Sequence, residues 1–152
     1  MFLRRSRAAH DPLPVAMSGV RLGERVLQVG VLIDIAVAAA GTVPHPDGSF
    51  DVAVVHSASA MLARLDAPTR QALLREAARV LRAGGRVIVI EPGTPTGLRS
   101  LLKTVPASQS SYDAAGGVLG DLRAAGFAPV RSLGDKEGLR FAEGLKSGVS
   151  AQ

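Results

Sequence analysis

Few residues in this chain have the chemistry of a reactive site. His56 and Ser57 stand next to each other at the end of an apolar run, residues 50–56, and Glu91 ends a second such run, residues 86–91. An imidazole can take or give a proton near neutral pH, and a carboxyl can do so when its surroundings shift it. His56 has two readings. One is a pocket residue or general base; the other, more ordinary, is a half-buried histidine hydrogen-bonded to backbone. Glu91 poses the same choice, and its Pro92 neighbour favours a structural role. Asp34 interrupts an apolar stretch and Asp51 begins the run that leads to His56; each reads best as a local acid. His10 and His45 fall in loops. No His, Asp or Glu cluster has metal-ligand spacing, and there is no cysteine, so no thiolate site is available. Neither a P-loop nor G-x-G-x-x-G is present, which argues against nucleotide and nicotinamide chemistry.

The elements that must position these residues are legible from pattern. Residues 26–29, 50–56 and 86–91 are short, nearly continuous apolar runs of the kind buried in parallel sheets. Residues 66–82 read as a helix: Asp66 is a cap, Pro68 sits in the first turn, and Leu73, Leu74, Ala77, Val80 and Leu81 share one face. Gly84 and Gly85 are read as its stop. Residues 92–109 read as mostly loop with a short helix at 98–103, and 113–125 as one helix weakened by glycines. Residues 129–133 and 139–145 form a hairpin whose turn includes Gly134, Asp135 and Gly138. Residues 31–40 are ambiguous, since strand and crossover helix both fit, the helix being preferred. Alternation of this kind predicts an α/β fold with a mostly parallel sheet and a terminal antiparallel hairpin. The expected organisation is an irregular lead-in over 1–22, a domain over 23–146 and a tail over 147–152. Ligands of open α/β sheets bind at the carboxyl ends of the strands, where His56, Ser57 and Glu91 lie.

Composition narrows the remaining classes. Of 152 residues 47% are apolar, yet only five are aromatic, so the core must be Val, Leu, Ile and Ala. The net charge of +5 comes from scattered arginines with almost no aromatics among them to stack on bases, so no nucleic-acid partner is expected. The longest apolar stretch, residues 29–43, is shorter than the roughly 20 residues of a membrane span and is broken by Asp34. With no secretory pattern at the N-terminus, the expectation is a cytoplasmic protein with no membrane partner.

Three stretches together resemble the class I S-adenosylmethionine-dependent methyltransferases, of the type 11-like kind. VPHPDGSFDV at 43–52 is similar to the family's LPFPDGSFDVV. EAARVLRAGGR at 76–86 is similar to E-x-x-RVLRPGGR, and AGF at 125–127 precedes the closing hairpin. The resemblance implies a Rossmann-like fold, S-adenosylmethionine as cofactor and a small-molecule methyl acceptor. It implies that Gly30, His56 and Ser57 line the cofactor site. The sequence departs from the family after Gly30. The family's glycine-rich loop is replaced by Val31-Leu32-Ile33, and Ala39 or Ala40 stands where an adenine-contacting Asp is common. Only sixteen residues separate Gly30 from Asp47, whereas a βαβ unit takes about 30. Part of the N-terminal half of the family's core is therefore missing. Weak or absent cofactor binding is expected, and whether the chain is an enzyme stays open. The alternative is a non-catalytic binding or oligomerisation module. A sheet lacking one crossing unit leaves an edge uncovered, so a homo-oligomer is expected.

Overall fold

The computed structural model describes residues 19–29, 43–57, 60–93, 101 and 107–148. The segment 31–40, Gly30, Asp34, His10, most of the lead-in, the short helix expected at 98–103 (Leu101 apart) and most of the tail lie outside the described residues. The elements are β1 (Val26–Val29), β2 (Phe50–His56), α1 (Met61–Arg64), α2 (Ala67–Val80), β3 (Leu81–Pro92), α3 (Ala107–Ala114), α4 (Gly117–Ala124), β4 (Val130–Lys136) and β5 (Leu139–Leu145). They build a five-stranded sheet in the order β1-β2-β3-β5-β4. β1, β2 and β3 are parallel, while β5 runs antiparallel to both β3 and β4. The fold is thus the expected mixed α/β sheet with parallel strands first and an antiparallel hairpin last.

Strand alternation divides the core in two. Ala53, Val55, Val87, Val89 and Ala142 point to one face, where they meet Met61 and Leu62 of α1, Leu73, Leu74 and Ala77 of α2, Tyr112 of α3, and Val118 and Leu122 of α4. Val52, Val54, Ile88, Ile90 and Phe141 point to the other, with Val20 of the lead-in packed against them. Small β-branched side chains on both faces are what a sheet covered on both sides requires.

Three local expectations are corrected. The helix expected over 66–82 ends at Val80, and the chain turns directly into β3 at Leu81, whose backbone is extended. Gly84 and Gly85 do not stop a helix; they sit in a strand irregularity. Phe50 pairs with Leu81 and Val52 with Arg86, so β3 advances five residues while β2 advances two. Gly84 takes φ +74, and a side chain at Gly85 would stand 2.9 Å from the Arg82 carbonyl oxygen and 3.0 Å from that of Asp51. Second, the helix expected over 113–125 is two helices, α3 and α4, broken at Gly116 and Gly117, both with positive φ. Third, the hairpin turn is only Glu137-Gly138, both at positive φ as a tight two-residue turn demands, while Gly134 and Asp135 belong to β4. The four-residue helix α1 was not foreseen at all.

Candidate functional site

The parallel strands β1, β2 and β3 deliver their carboxyl ends to one rim of the sheet. Val29 pairs with Val55 and His56 with Ile90, so the carboxyl ends of β1, β2 and β3 come side by side. His56 is half-buried and follows Val52 and Val54 in alternation, on the face opposite the helices. Burial holds its imidazole below the ordinary histidine value, so it is neutral at pH 7. A neutral imidazole at this position can accept a proton or a hydrogen bond from a ligand. Gly30, the next residue after β1, lies outside the described residues.

Ser57 has a different situation from its neighbour. It is fully buried. Its amide donates to the Ile90 carbonyl at 2.7 Å, its carbonyl accepts from Ala60, and its hydroxyl oxygen accepts from the Leu62 amide at 3.0 Å. The side chain satisfies a donor at the start of α1 that would otherwise be unpaired in the core. Ser57 therefore ties the end of β2 to the start of α1.

Glu91 lies one residue beyond the His56 partner and on the helix side of the sheet. It is 6% exposed. Its Oε2 accepts from the Tyr112 hydroxyl at 2.9 Å, and its Oε1 stands 3.8 Å from Nη1 of Arg140. Burial pushes its carboxyl above the usual range, more than the tyrosine hydrogen bond and the arginine draw it down. The Tyr112 phenol is likewise pushed well up, by burial and by Glu91. Its ring lies under the Arg70 guanidinium, 5.0 Å from the centroid. Arg70 in turn donates from Nε to Asp121 at 2.7 Å and from Nη1 to the Leu65 carbonyl at 2.6 Å. Gln71 donates to Asp121 at 3.1 Å, and its own Oε1 is buried without a partner. A polar chain thus runs from the rim of β3 through α3 to α2 and α4. Sequence reading did not find Tyr112, Arg70 or Asp121. A signal existed for one of them, since Arg70 sits on the helical stripe shared with Leu73, Leu74 and Ala77.

The motif residues have structural tasks. Arg79 donates to Glu76, Asp47, and the carbonyls of His45 and Val43, and Glu76 accepts from the Val43 amide. The pair from E-x-x-R thereby fastens the loop that enters β2 onto α2. Asp51 gathers Arg25 and Arg82 at the opposite, amino end of β2, and their hydrogen bonds hold its carboxyl far below the usual range. At that same end Arg86 reaches Glu24 and the Gly19 carbonyl, tying the lead-in to the sheet.

A family model described as a methyltransferase domain matches residues 11–89. That is more than half of the chain. The chain belongs to this methyltransferase family. No curated protein matches this chain in sequence. Solved structures match it in fold. A possible histamine N-methyltransferase from Thermotoga maritima, called a SAM-dependent methyltransferase, superposes with a TM-score of 0.55 at 17% identity, over 88% of this chain and 87% of that one. A putative methyltransferase structure from Haloferax volcanii, in complex with the Trm112 methyltransferase activator, gives 0.55 at 14% identity over 93% and 90%. PigF with SAH gives 0.54 at 20% identity over 89% of this chain and 47% of its own length. These likenesses concern the fold.

S-adenosylmethionine carries a ribose whose hydroxyls call for hydrogen-bond acceptors. Ribose hydroxyls call for a carboxylate with open oxygens at the carboxyl ends of the first strands. Asp51 and Glu24 are at the amino ends, and the oxygens of Glu91 face Tyr112 and Arg140 on the helix side. His56 remains as the polar side chain at the β2 end of the rim. Among the described residues no group of His, Cys, Asp or Glu could hold a metal ion, and no helix is long and apolar enough to cross a membrane.

Proposed function

We propose that residues 23–146 form a methyltransferase-fold domain whose cofactor site is degenerate and whose affinity for S-adenosylmethionine is weak. The observation that carries this reading is the composition of the rim: His56 stands at the end of β2 between the ends of β1 and β3, with no free carboxylate among the described residues there. The family and the SAH held by PigF indicate the cofactor class. Gly30, His56 and Ser57 are the residues assigned to line the site, Ser57 with its hydroxyl oxygen also accepting from the Leu62 amide of α1. Methyl transfer depends chiefly on orienting donor and acceptor, so a loosely held donor limits turnover more than a missing acid or base does. The acceptor class is a small nucleophilic molecule, because the arginines are dispersed along the chain and most of those among the described residues are committed to ion pairs such as those of Arg79 and Arg86.

Calorimetric titration of the full chain with S-adenosylmethionine and with its demethylated product tests the reading. The expected result is a dissociation constant of about 1 mM or weaker, corresponding to roughly −4 kcal/mol, further weakened in His56→Ala. Saturable micromolar binding with a resonance shift at Gly30 overturns it.

A second reading is favoured by one observation. The outer edge of β1 carries no strand pairing among the described residues. Unpaired edges recruit other strands, and this edge fits a homo-oligomer, with the domain serving as an association module.

A further inference from the structure

α3 is held to the rest of the molecule in an unusual way. Of its eight residues only Tyr112 is buried, whereas α2 buries Arg70, Leu73, Leu74, Ala77 and Val80, and the equally short α4 buries Val118, Asp121 and Leu122. Seven residues of α3 therefore contribute little to the core. A helix of eight residues has little stability of its own in water, because few hydrogen bonds offset the cost of nucleation. Among the described residues its attachment to the core rests on one buried side chain. That side chain makes three contacts at once: its ring fills the helix-side core at 2% exposure, its face lies under Arg70, and its hydroxyl donates to Glu91.

The junction between α3 and α4 completes the arrangement. Ala115 and Gly116 close α3 with bonds to Ser111 and Asp113, and Gly116 is at once the residue before α4. Gly116 and Gly117 take φ of +95 and +58, and a side chain at Gly117 would meet nothing within 4 Å. Two consecutive glycines can absorb a large change of backbone angle without steric penalty, as hinge positions must. α4, beyond the hinge, is anchored by Leu122 and by Asp121, which is fixed by Arg70 and Gln71.

We propose that α3 is a hinged flap, pivoting at Gly116-Gly117 and latched over the carboxyl end of β3 by the Tyr112–Glu91 hydrogen bond. Closed, it covers Glu91 and the helix side of the rim. Open, it uncovers the Glu91 carboxyl at the end of a parallel strand, where ligands of such sheets enter. Arg70 and Asp121 stay in place when the flap moves, because their mutual bond and the Leu65 carbonyl hold them without Tyr112. The device belongs to the fold and operates whether or not S-adenosylmethionine is bound.

Amide hydrogen exchange on the unliganded full chain, followed residue by residue, tests this. In the wild type the amides of α3 are expected to exchange at least roughly tenfold faster than those of α4, because local opening withdraws a single core side chain and leaves the rest of the core in place. Tyr112→Phe keeps the ring and its place under Arg70 and removes only the latch. It is expected to speed exchange in α3 by roughly a further tenfold, the usual worth of one such hydrogen bond, with α4 and β3 unchanged. Protection of α3 equal to that of α4 in the wild type overturns the proposal. So does a Tyr112→Phe effect that spreads equally through α4 and β3, which would make Tyr112 a core residue and nothing more.

Discussion

Arg70 and Asp121 form a buried ion pair at 2.7 Å, with side chains 8% and 9% exposed. Removing either partner strands a charge in the core, so Arg70→Ala or Asp121→Ala is expected to cost about 3–5 kcal/mol. Urea unfolding of each variant beside the wild type measures it, and a loss under about 1 kcal/mol would mean that water reaches the pair. A second residue-scale test concerns the close approach of β5 to the segment after α4. A side chain at Gly144 would stand 2.8 Å from Cβ of Phe127, itself buried. Gly144→Ala is therefore expected to destabilise by about 1–3 kcal/mol through overpacking, which urea unfolding beside the wild type measures. The same close approach explains AGF at 125–127 in packing terms: the phenylalanine sits where a glycine of the hairpin makes room.

At the scale of elements, α2 starts on Asp66, whose carboxylate accepts from the Thr69 amide at 2.8 Å. Asp66→Ala is expected to lower the melting temperature by loss of the cap, whereas Asp66→Asn, which keeps an acceptor, should lower it less; thermal melts compare them. The carboxylates that fasten elements together share a pH signature. Glu24, Asp51, Asp66 and Glu76 are all held below their ordinary values, by arginine side chains or by backbone amides. Their contribution is complete above the unfolded values of about 4 and is lost as pH falls through the lower folded values. Glu91 has the opposite sign. Burial raises it, so its contribution is present below its unfolded value and is lost as pH rises through the folded one. The melting temperature should accordingly fall as pH is lowered from about 5 to 3. The stability of Glu91→Gln relative to the wild type should improve from pH 4 to pH 8. A wild-type melting temperature flat across the acid range would contradict the network of paired carboxylates.

For the molecule as a whole, the sheet order places β1 and β4 at the edges among the described residues. β1 is four residues long and among these residues carries one ladder, to β2. Sedimentation over a wide concentration range is expected to show a dimer or higher species. A monomer throughout would remove the association reading and leave the degenerate cofactor site as the sole proposal. A lysine or proline placed at Leu27, in the middle of β1, should shift the distribution toward monomer.

Much of this architecture was readable before any coordinates, because strand runs and helical stripes are local consequences of burial. Val26–Val29, Val52–Val55 and Val87–Ile90 read as buried strands because their side chains are apolar on both faces. Asp66 with Pro68 marked a helix start by local chemistry, and the strand at 139–145 was placed without error. The glycines were misjudged, because the same residue serves a helix stop, a strand irregularity or a hinge. Which one applies to Gly84-Gly85 or to Gly116-Gly117 is decided by what pairs with the flanking residues, and that partner is far away in sequence. The candidate site divides in the same way. His56 at a strand end was legible from the run that precedes it, and its placement on the face opposite the helices followed only from sheet register. Ser57 looked like its companion and became a support for α1, since a hydroxyl buried beside an unpaired amide will accept from it. Tyr112, Arg70, Asp121 and Glu91 come from four separate elements, spanning 51 residues from Arg70 to Asp121. Nothing local links them. Sequence determined that these elements form, and the tertiary structure alone decided that their polar groups meet, because a buried hydrogen bond is specified by where two chain segments pack and not by either segment's own composition.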